Sequence, residues 1–396
     1  MINLRSHQQD ILDRMLIYDK GQIIVPTGGG KTLCMIMDII KNQKYIDNGS
    51  TIVVVAPRIL LAEQLCSEFL ELIDTTHTHV LHVHSGETHH ASGTNPETIA
   101  LFANTARTAG ENVIIFTTYH SLHRVQEADI EVNTIYFDEA HNSVQRHFFP
   151  ATEYFSHEAD RCYFFTATPK HSLSISKPGM NLPEVYGQVI AQVPATRMVE
   201  EGYILPPKIV VKQLEMVQDK QMIAERDASN MLETIDENSL NKILICARST
   251  KQIIKLIGES DFTQQLQMRG YSCMYITSKT GAIIDGKKVN REVFFETLNG
   301  WGKDPEKKFV VLHHSILSEG INVSGLEAVL FMRNMDYIGI SQTIGRVIRL
   351  GDKSKKFGLV CVPVYDKVGI STAKSIQAVV DTTFGKGEPA VSVIRR

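Results

Sequence analysis

The chain of 396 residues lacks most of the features that would assign it quickly. Its six cysteines, Cys34, Cys66, Cys162, Cys246, Cys273 and Cys361, are scattered and include no C-x-x-C pair. That argues against a zinc site, an iron–sulfur cluster or a disulfide framework, and it fits a reducing compartment. No apolar run approaches the length of a membrane span, and the opening MINLRSHQQD has no apolar core of a signal peptide. The expected location is therefore the cytoplasm, of a prokaryote or of a virus's host, with no membrane partner. Charge of one sign is scarce too. The formal net charge of −3 gives no global attraction to nucleic acid, so any such binding must rest on a local basic groove. There is no low-complexity segment and no long charge run. The single tryptophan, Trp301, lies in a glycine-flanked stretch and carries no assigned role.

What is present is a rhythm. Apolar runs at 21–25, 51–56, 80–84, 112–117, 134–137 and 161–166 read as strands, with helical patterns such as 60–72 and 97–108 between them. Alternation of this kind implies an α/β fold with a parallel sheet covered on both faces. The rhythm lapses at 193–207 (VPATRMVEEGYILPP), where three prolines and a glycine suggest a turn-rich crossing. A second series follows at 242–246, 272–277, 308–313, 328–332 and 359–364. The expectation is two α/β domains, 1–194 and 208–396, joined by a linker at 195–207.

Two stretches carry chemistry. Val25-Pro26-Thr27-Gly28-Gly29-Gly30-Lys31-Thr32 follows the first apolar run and precedes a helical pattern. Glycines between a strand and a helix let backbone N–H groups converge on an anion at the positive end of the helix dipole. Lys31 can then reach the β- and γ-phosphates of a nucleotide, and the Thr32 hydroxyl can hold Mg²⁺. Val25 stands where the usual pattern has glycine. The second stretch, Asp138-Glu139-Ala140-His141, ends the apolar run 134–137. Two carboxylates at the carboxyl end of a strand can divide the work: Asp138 holds Mg²⁺ and Glu139 orients and deprotonates water.

Together these stretches resemble a superfamily 2 nucleic-acid helicase of the DEAD/DEAH-box group, and further motifs extend the resemblance from residue 4 to about 350. Leu4-Arg5-Ser6-His7-Gln8 is similar to the family's glutamine motif, which implies that Arg5 and Gln8 sit at the adenine. Pro57-Arg58-Ile59-Leu60-Leu61-Ala62-Glu63-Gln64 is similar to P-T-R-E-L-A-x-Q, with Arg58 for Thr, and Thr117-Thr118-Tyr119 resembles the next strand-contacting motif. The resemblance assigns Pro57, Arg58, Gln64, Thr117 and Thr118 to nucleic acid. Thr166-Ala167-Thr168-Pro169 is similar to the motif that couples hydrolysis to domain movement, alongside His141. Ser318-Glu319-Gly320-Ile321-Asn322-Val323 looks like E-G-x-D-x-P, with Asn322 and Val323 as departures, and would place Glu319 and Gly320 at the nucleotide. Gln342-Thr343-Ile344-Gly345-Arg346-Val347-Ile348-Arg349 matches Q-x-x-G-R-x-x-R in full. The segment 200–207 (EEGYILPP) also looks like the junction in restriction-enzyme motor subunits and phage recombination helicases, a subgroup that generally acts on DNA.

The resemblance implies two tandem RecA-like domains, each a mainly parallel sheet covered by helices, with ATP in the cleft between them. The first domain would supply the phosphate loop, Asp138 and Glu139. The second would supply Gln342, Arg346 and Arg349, the two arginines sharing one helical face three residues apart. The implied activity is ATP hydrolysis coupled to movement along nucleic acid, DNA rather than RNA, by a monomer using ATP and Mg²⁺. A second reading remains open: a nucleic-acid-stimulated ATPase that senses, remodels or loads without separating strands. A small-molecule NTPase or kinase leaves the paired arginines unexplained. The histidines His77, His79, His82, His84, His89 and His90 form a dense patch, and the spacings His77/His79 and His82/His84 put each of those pairs on one strand face. They are read as a strand and loop of the first domain rather than as a metal centre. His313 and His314 are read as packing or as nucleic-acid rim, and the basic spots Lys287/Lys288/Arg291 and Lys353/Lys355/Lys356 as solvated.

Overall fold

Runs such as TIVVVA and NVIIFTT have no polar alternation, which suits strands covered on both faces. In the computed structural model every residue of the strands Thr51–Ala56, Asn112–Thr118, Thr134–Phe137 and Arg161–Thr166 is buried. The structure describes residues 3–41, 49–86, 88–174, 176–213, 222–277, 279–314, 325–332, 337–349, 355, 357–364 and 367–394. The chain divides into two compact units, Met1–Pro194 with Val391–Arg396, and Ala195–Ala390.

The first unit runs α1 (Ser6–Met15), β1 (Lys20–Ile24), α2 (Lys31–Lys41), β2 (Thr51–Ala56), α3 (Ile59–Leu70), β3 (Thr78–Val83), β4 (Ala91–Ser92), α4 (Pro96–Thr108), β5 (Asn112–Thr118), α5 (Leu122–Glu127), β6 (Thr134–Phe137), α6 (Phe149–Glu158), β7 (Arg161–Thr166), β8 (Lys170–Ser172), α7 (Pro183–Tyr186) and β9 (Val189–Gln192). Its main sheet has the order β4-β3-β5-β2-β6-β7-β1-β9, and every pairing is parallel. The helices α1 and α2 are tied to β7 by a buried ion pair, in which both Arg161 guanidinium nitrogens bond the Asp38 carboxylate at 2.8 Å. Tyr136 donates to the same carboxylate at 2.6 Å, and Arg161 also reaches the Met15 carbonyl at 3.1 Å. A buried pair of this kind is tolerable because every charge has several partners.

The second unit runs α8 (Ala195–Glu200), β10 (Pro207–Gln213), α9 (Ile223–Glu237), β11 (Lys242–Cys246), α10 (Thr250–Gly258), α11 (Phe262–Met268), β12 (Ser272–Thr277), β13 (Gly281–Ile284), β14 (Lys287–Val289), α12 (Arg291–Lys303), β15 (Phe309–His313), β16 (Ala328–Phe331), α13 (Tyr337–Val347), β17 (Gly358–Val364) and α14 (Lys367–Val380). Its sheet has the order β10-β17-β16-β11-β15-β12-β13-β14. The first six strands are parallel, and β13 and β14 form an antiparallel hairpin on the edge. The hairpin turns at Asp285 and Gly286, with φ of 45° and 78°. Two positive φ values are what a tight hairpin turn needs, and Asp-Gly is the pair that supplies them.

Both units are thus α/β, with mainly parallel sheets covered by helices. The stretch expected as a turn-rich crossing holds the helix α8. Its prolines stand at 194, 206 and 207, outside the six residues ATRMVE, which include good helix formers. The strand β18 (Ser392–Ile394) belongs to the first unit and pairs in parallel with β8. Among the described residues no helix is long and apolar enough to cross a membrane. All six cysteines are buried and none is in a disulfide.

Candidate active site

Strand order decides which motifs meet. Parallel strands present their carboxyl ends along one edge of the sheet, where loops are free to hold ligands. Reading along that edge, β5, β2, β6, β7 and β1 are neighbours. The edge therefore carries, in order, Thr117-Thr118-Tyr119, Pro57-Arg58, Asp138-Glu139, Thr166-Ala167-Thr168 and the glycine loop. Sequence positions 25 to 168 become one row.

The glycine loop is held from behind by α1. The Arg5 guanidinium donates to the Gly28 carbonyl at 3.1 Å, and His7 Nε2 bonds the Gly29 carbonyl at 2.9 Å. Gln8 Nε2 reaches the same carbonyl at 3.4 Å, while its Oε1 accepts the Arg5 backbone N–H at 2.9 Å. The Gly28 and Gly29 carbonyls are thus drawn backwards onto α1, while the Gly29 N–H closes the turn on the Pro26 carbonyl at 3.0 Å. Gly28 and Gly30 have φ of 87° and 78°. At Gly30 the positive φ favours glycine, and a Cβ there would also displace the Gln8 amide, which it would meet at 2.2 Å. Arg5 and Gln8, expected at the adenine, bond the loop itself here. His7 has the same part and carried no separate signal in the sequence. Helix α2 begins at Lys31, so its first N–H groups have no partners within the helix. Thr27 and Thr32 are half-buried at the two ends of the loop.

Lys31 Nζ lies 3.4 Å from Glu139 Oε1. Glu139 Oε2 lies 3.6 Å from His141 Nδ1, which is 3.0 Å from Thr166 Oγ1. That hydroxyl also accepts the Thr168 N–H at 3.1 Å. The side chains of Lys31, Glu139, His141 and Thr166 thus form one relay, which ends on the Thr168 backbone N–H. Glu139 has φ 47° and ψ 52°, a left-handed conformation that costs a non-glycine residue on the order of 1 kcal/mol. It is pinned by its neighbours: Tyr119 donates to the Asp138 carbonyl at 2.8 Å, and Asn142 donates to the Glu139 carbonyl at 3.0 Å. Strain held by surrounding bonds is a mark of functional positions. Burial first, and the Glu139 carboxylate second, push the Asp138 carboxyl up to about 7, with Lys31 pulling it back. Two adjacent buried carboxylates and the nearby Thr32 hydroxyl make a set of hard oxygen donors, the kind that suits Mg²⁺.

The other half of the row is built differently. Arg58 caps α3 with extended backbone, φ −146° and ψ 155°, and Pro57 beside it is half-buried. Gln64 donates to Glu68 along the same helix at 2.7 Å. Thr117 is wholly buried, and its hydroxyl donates to the Val83 carbonyl at 2.9 Å. Thr118 is buried as well. The expectation that these two hydroxyls hold phosphates does not match this arrangement, because both lie inside a sheet whose faces are covered. Tyr119, singled out only as part of its motif, is the residue that reaches across to Asp138.

In the second unit Gln342 and Arg346 lie on α13 and are buried. Arg349 does not continue that helix. Helix α13 ends at Val347, the Leu205 N–H takes the Ile348 carbonyl at 2.7 Å, and Arg349 pairs with Ile204 as an antiparallel bridge. The expectation of two arginines on one helical face is corrected: the helix stops at Val347, the chain bends at Ile348, and Arg349 is held by its bridge to Ile204. The Lys355 ammonium bonds the Val347 and Arg349 carbonyls and so holds that turn. Glu319 and Gly320 lie outside the described residues.

Residues 1–171 match the model of the family described as "Type III restriction enzyme, res subunit". No curated protein matches the chain in sequence. Solved structures match it in fold. The ATP-dependent Type ISP restriction-modification enzyme LlaBIII bound to DNA has a TM-score of 0.75 at 17% identity, over 100% of this chain and 31% of that one. A nuclease-deletion mutant of the Type ISP enzyme LlaGI, in complex with a DNA substrate mimic, has 0.63 at 18% identity, over 98% and 30%. A fragment of a putative HsdR subunit of a type I restriction enzyme from Vibrio vulnificus YJ016 has 0.62 at 15% identity, over 99% and 68%. The chain therefore spans under a third of the two Type ISP enzymes. The expected likeness to restriction-enzyme subunits is thus met at the level of a family model over residues 1–171 and of the fold over the whole chain.

Proposed function

We propose that the chain is an ATP-driven motor on DNA, a translocase or helicase that couples hydrolysis to movement along a strand. The observation that carries this reading is the relay from Lys31 through Glu139 and His141 to Thr166 and Thr168. It joins phosphate binding, water activation and the coupling motif in one bonded set. Lys31 sits on Glu139 until a phosphate competes for its charge. Its departure leaves the Glu139 carboxylate to orient the attacking water and take its proton. Mg²⁺, held by Thr32 and Asp138, would supply charge neutralisation on the phosphates. The resemblance would give Arg346 and Arg349 the part of stabilising the charge that spreads over a transferred phosphoryl group. DNA is preferred over RNA because two of the structures matched in fold hold DNA or a mimic of it.

The deciding experiment measures ATPase activity with single-stranded DNA, duplex DNA, forked DNA and RNA, together with strand displacement on the same preparation. Stimulation by DNA is expected, and strand displacement separates a helicase from a translocase. ATP hydrolysis indifferent to every nucleic acid overturns the proposal. Arg346→Ala should leave ATP binding largely intact and lower turnover on the order of 10³-fold, without rescue by lysine.

A further inference from the structure

The scattered cysteines and the histidine patch, set aside separately in the sequence, meet in the first unit. We propose that Cys66, His82 and His90 form a site for a borderline-soft divalent metal ion, best suited to Zn²⁺. Cys66 lies on α3, His82 on β3, and His90 in the turn that leads into β4. One ligand atom from each lies within 4.8 Å of the others. Tetrahedral zinc places nitrogen and sulfur ligands roughly 3.3–3.6 Å apart. The three must therefore draw together by about an ångström, and His90, which is exposed, has the freedom to do it.

The independent sign of a ligand is His82. It is wholly buried, its ring packed between Phe116 and His90 with centroids 5.6 Å from each. Its Nδ1 bonds His84 Nε2 at 2.9 Å, and its Nε2 has no hydrogen-bond partner among the described residues. A buried polar atom left in this way is costly, so it calls for an occupant. His84 has the position that outer partners of metal-bound histidines take, fixing the tautomer from behind. The Gly86 N–H points at His84 Nδ1 at 3.2 Å, which puts the His82 proton on Nε2 before loading. On loading, the His82–His84 bond reverses, with Nδ1 donating, and the long Gly86 contact is given up. The Cys66 S–H bond breaks as the sulfur–metal bond forms, and its proton leaves to solvent, so one proton is released per ion. The set is one thiolate and two imidazoles with an open fourth position for water.

Location gives the site a purpose. Gly86 packs so closely on Ile59, at the first turn of α3, that a Cβ there would meet it at 2.5 Å. A metal at Cys66, His82 and His90 would pin His90 and the end of β3 to α3, the helix that Arg58 caps.

The test is direct binding by the full chain, stripped of metal and titrated with Co²⁺. One Co²⁺ per chain is expected, with the visible bands of tetrahedral cobalt and a thiolate charge-transfer band, all displaced by Zn²⁺. Cys66→Ser should remove the charge-transfer band. His90→Ala, at an exposed position that does not endanger folding, should weaken binding at least about tenfold, the lower end of what loss of an outer partner alone costs. His89→Ala, next door, should change nothing. No cobalt spectrum, or one that persists unchanged in both Cys66→Ser and His90→Ala, overturns the site, as does loss on His89→Ala.

Discussion

The two halves of the sheet edge in the first unit are made of similar strands and hold their motifs in opposite ways. On the β6–β7–β1 side the side chains meet one another, Lys31 on Glu139 and His141 on Thr166, and the Thr166 hydroxyl accepts the Thr168 backbone N–H. On the β5–β2 side they turn inward or along their own helix: Thr117 to Val83, Gln64 to Glu68. The difference teaches where precision is needed. Proton transfer demands placement within a fraction of an ångström, and a bonded relay provides it. A grip on a nucleic-acid backbone needs donors at a sheet edge and a helix start, which main-chain N–H groups and Arg58 can supply without a relay.

The comparison breaks most sharply at Glu139. Glu139→Gln keeps the size and removes the base, so nucleotide binding should persist while turnover falls 10²- to 10⁴-fold, the usual worth of general-base catalysis. Binding by fluorescent nucleotide and single-turnover hydrolysis separate the two. Hydrolysis at the parent rate would move the base elsewhere on the edge.

A smaller effect is expected where the halves touch. Tyr119 belongs to the β5 motif and bonds the Asp138 carbonyl. Tyr119→Phe removes one buried donor, worth on the order of 1–3 kcal/mol, and loosens the turn that holds Glu139 left-handed. DNA-stimulated turnover should fall about tenfold, and by more than the unstimulated rate, which shares only the loosened turn. Equal loss in both rates would mean that Tyr119 supports the catalytic half alone and carries no signal between halves.

Much of this arrangement was legible in the sequence, for a physical reason. Strands buried on both faces read as unbroken apolar runs, and the expected runs 51–56, 134–137, 161–166, 242–246 and 272–277 coincide with strands of the structure. The short strands Ala91–Ser92 and Val189–Gln192 were missed because edge strands need neither length nor apolar character. At the site, residue identities were legible and their bonds were not. Nothing in LRSHQ says that His7 holds Gly29, and nothing in TTY says that the first hydroxyl points inward. The break between Arg346 and Arg349 comes from pairing with residues 204–205, about 140 positions away, which no local pattern records.

Asp138 offers a way to measure the strain of the catalytic half without any turnover. Its carboxyl is raised from 3.8 to about 7, burial being the main cause. The folded state therefore holds that proton more tightly than the unfolded chain does. Stability from this group is present below the ordinary value and is lost as pH climbs through about 7. At neutral pH and without metal the ionised form is a liability. Asp138→Asn should then raise the melting temperature by roughly a few degrees at neutral pH, with the gain shrinking toward acid, even as it abolishes hydrolysis. A variant less stable than the parent at every pH would place the cost of that site somewhere other than in its carboxylates.

The smallest effect is expected at Thr117, and it tests the other half. If the hydroxyl serves the sheet and not a phosphate, Thr117→Val should leave DNA affinity within about twofold, because the group that changes never faced the ligand. Its cost should appear in folding instead. The Val83 carbonyl loses its side-chain donor in a buried position, which amounts to on the order of 1 kcal/mol, while the methyl that replaces the hydroxyl stands beside the cross-strand partners Val55 and Val83 and offsets part of it. Urea denaturation and a DNA-binding isotherm on one preparation read both quantities. A tenfold loss of DNA affinity with unchanged stability would reverse the assignment: the hydroxyl would have to turn outward when DNA binds, and the β5–β2 half would then be as dependent on its side chains as the half that hydrolyses ATP.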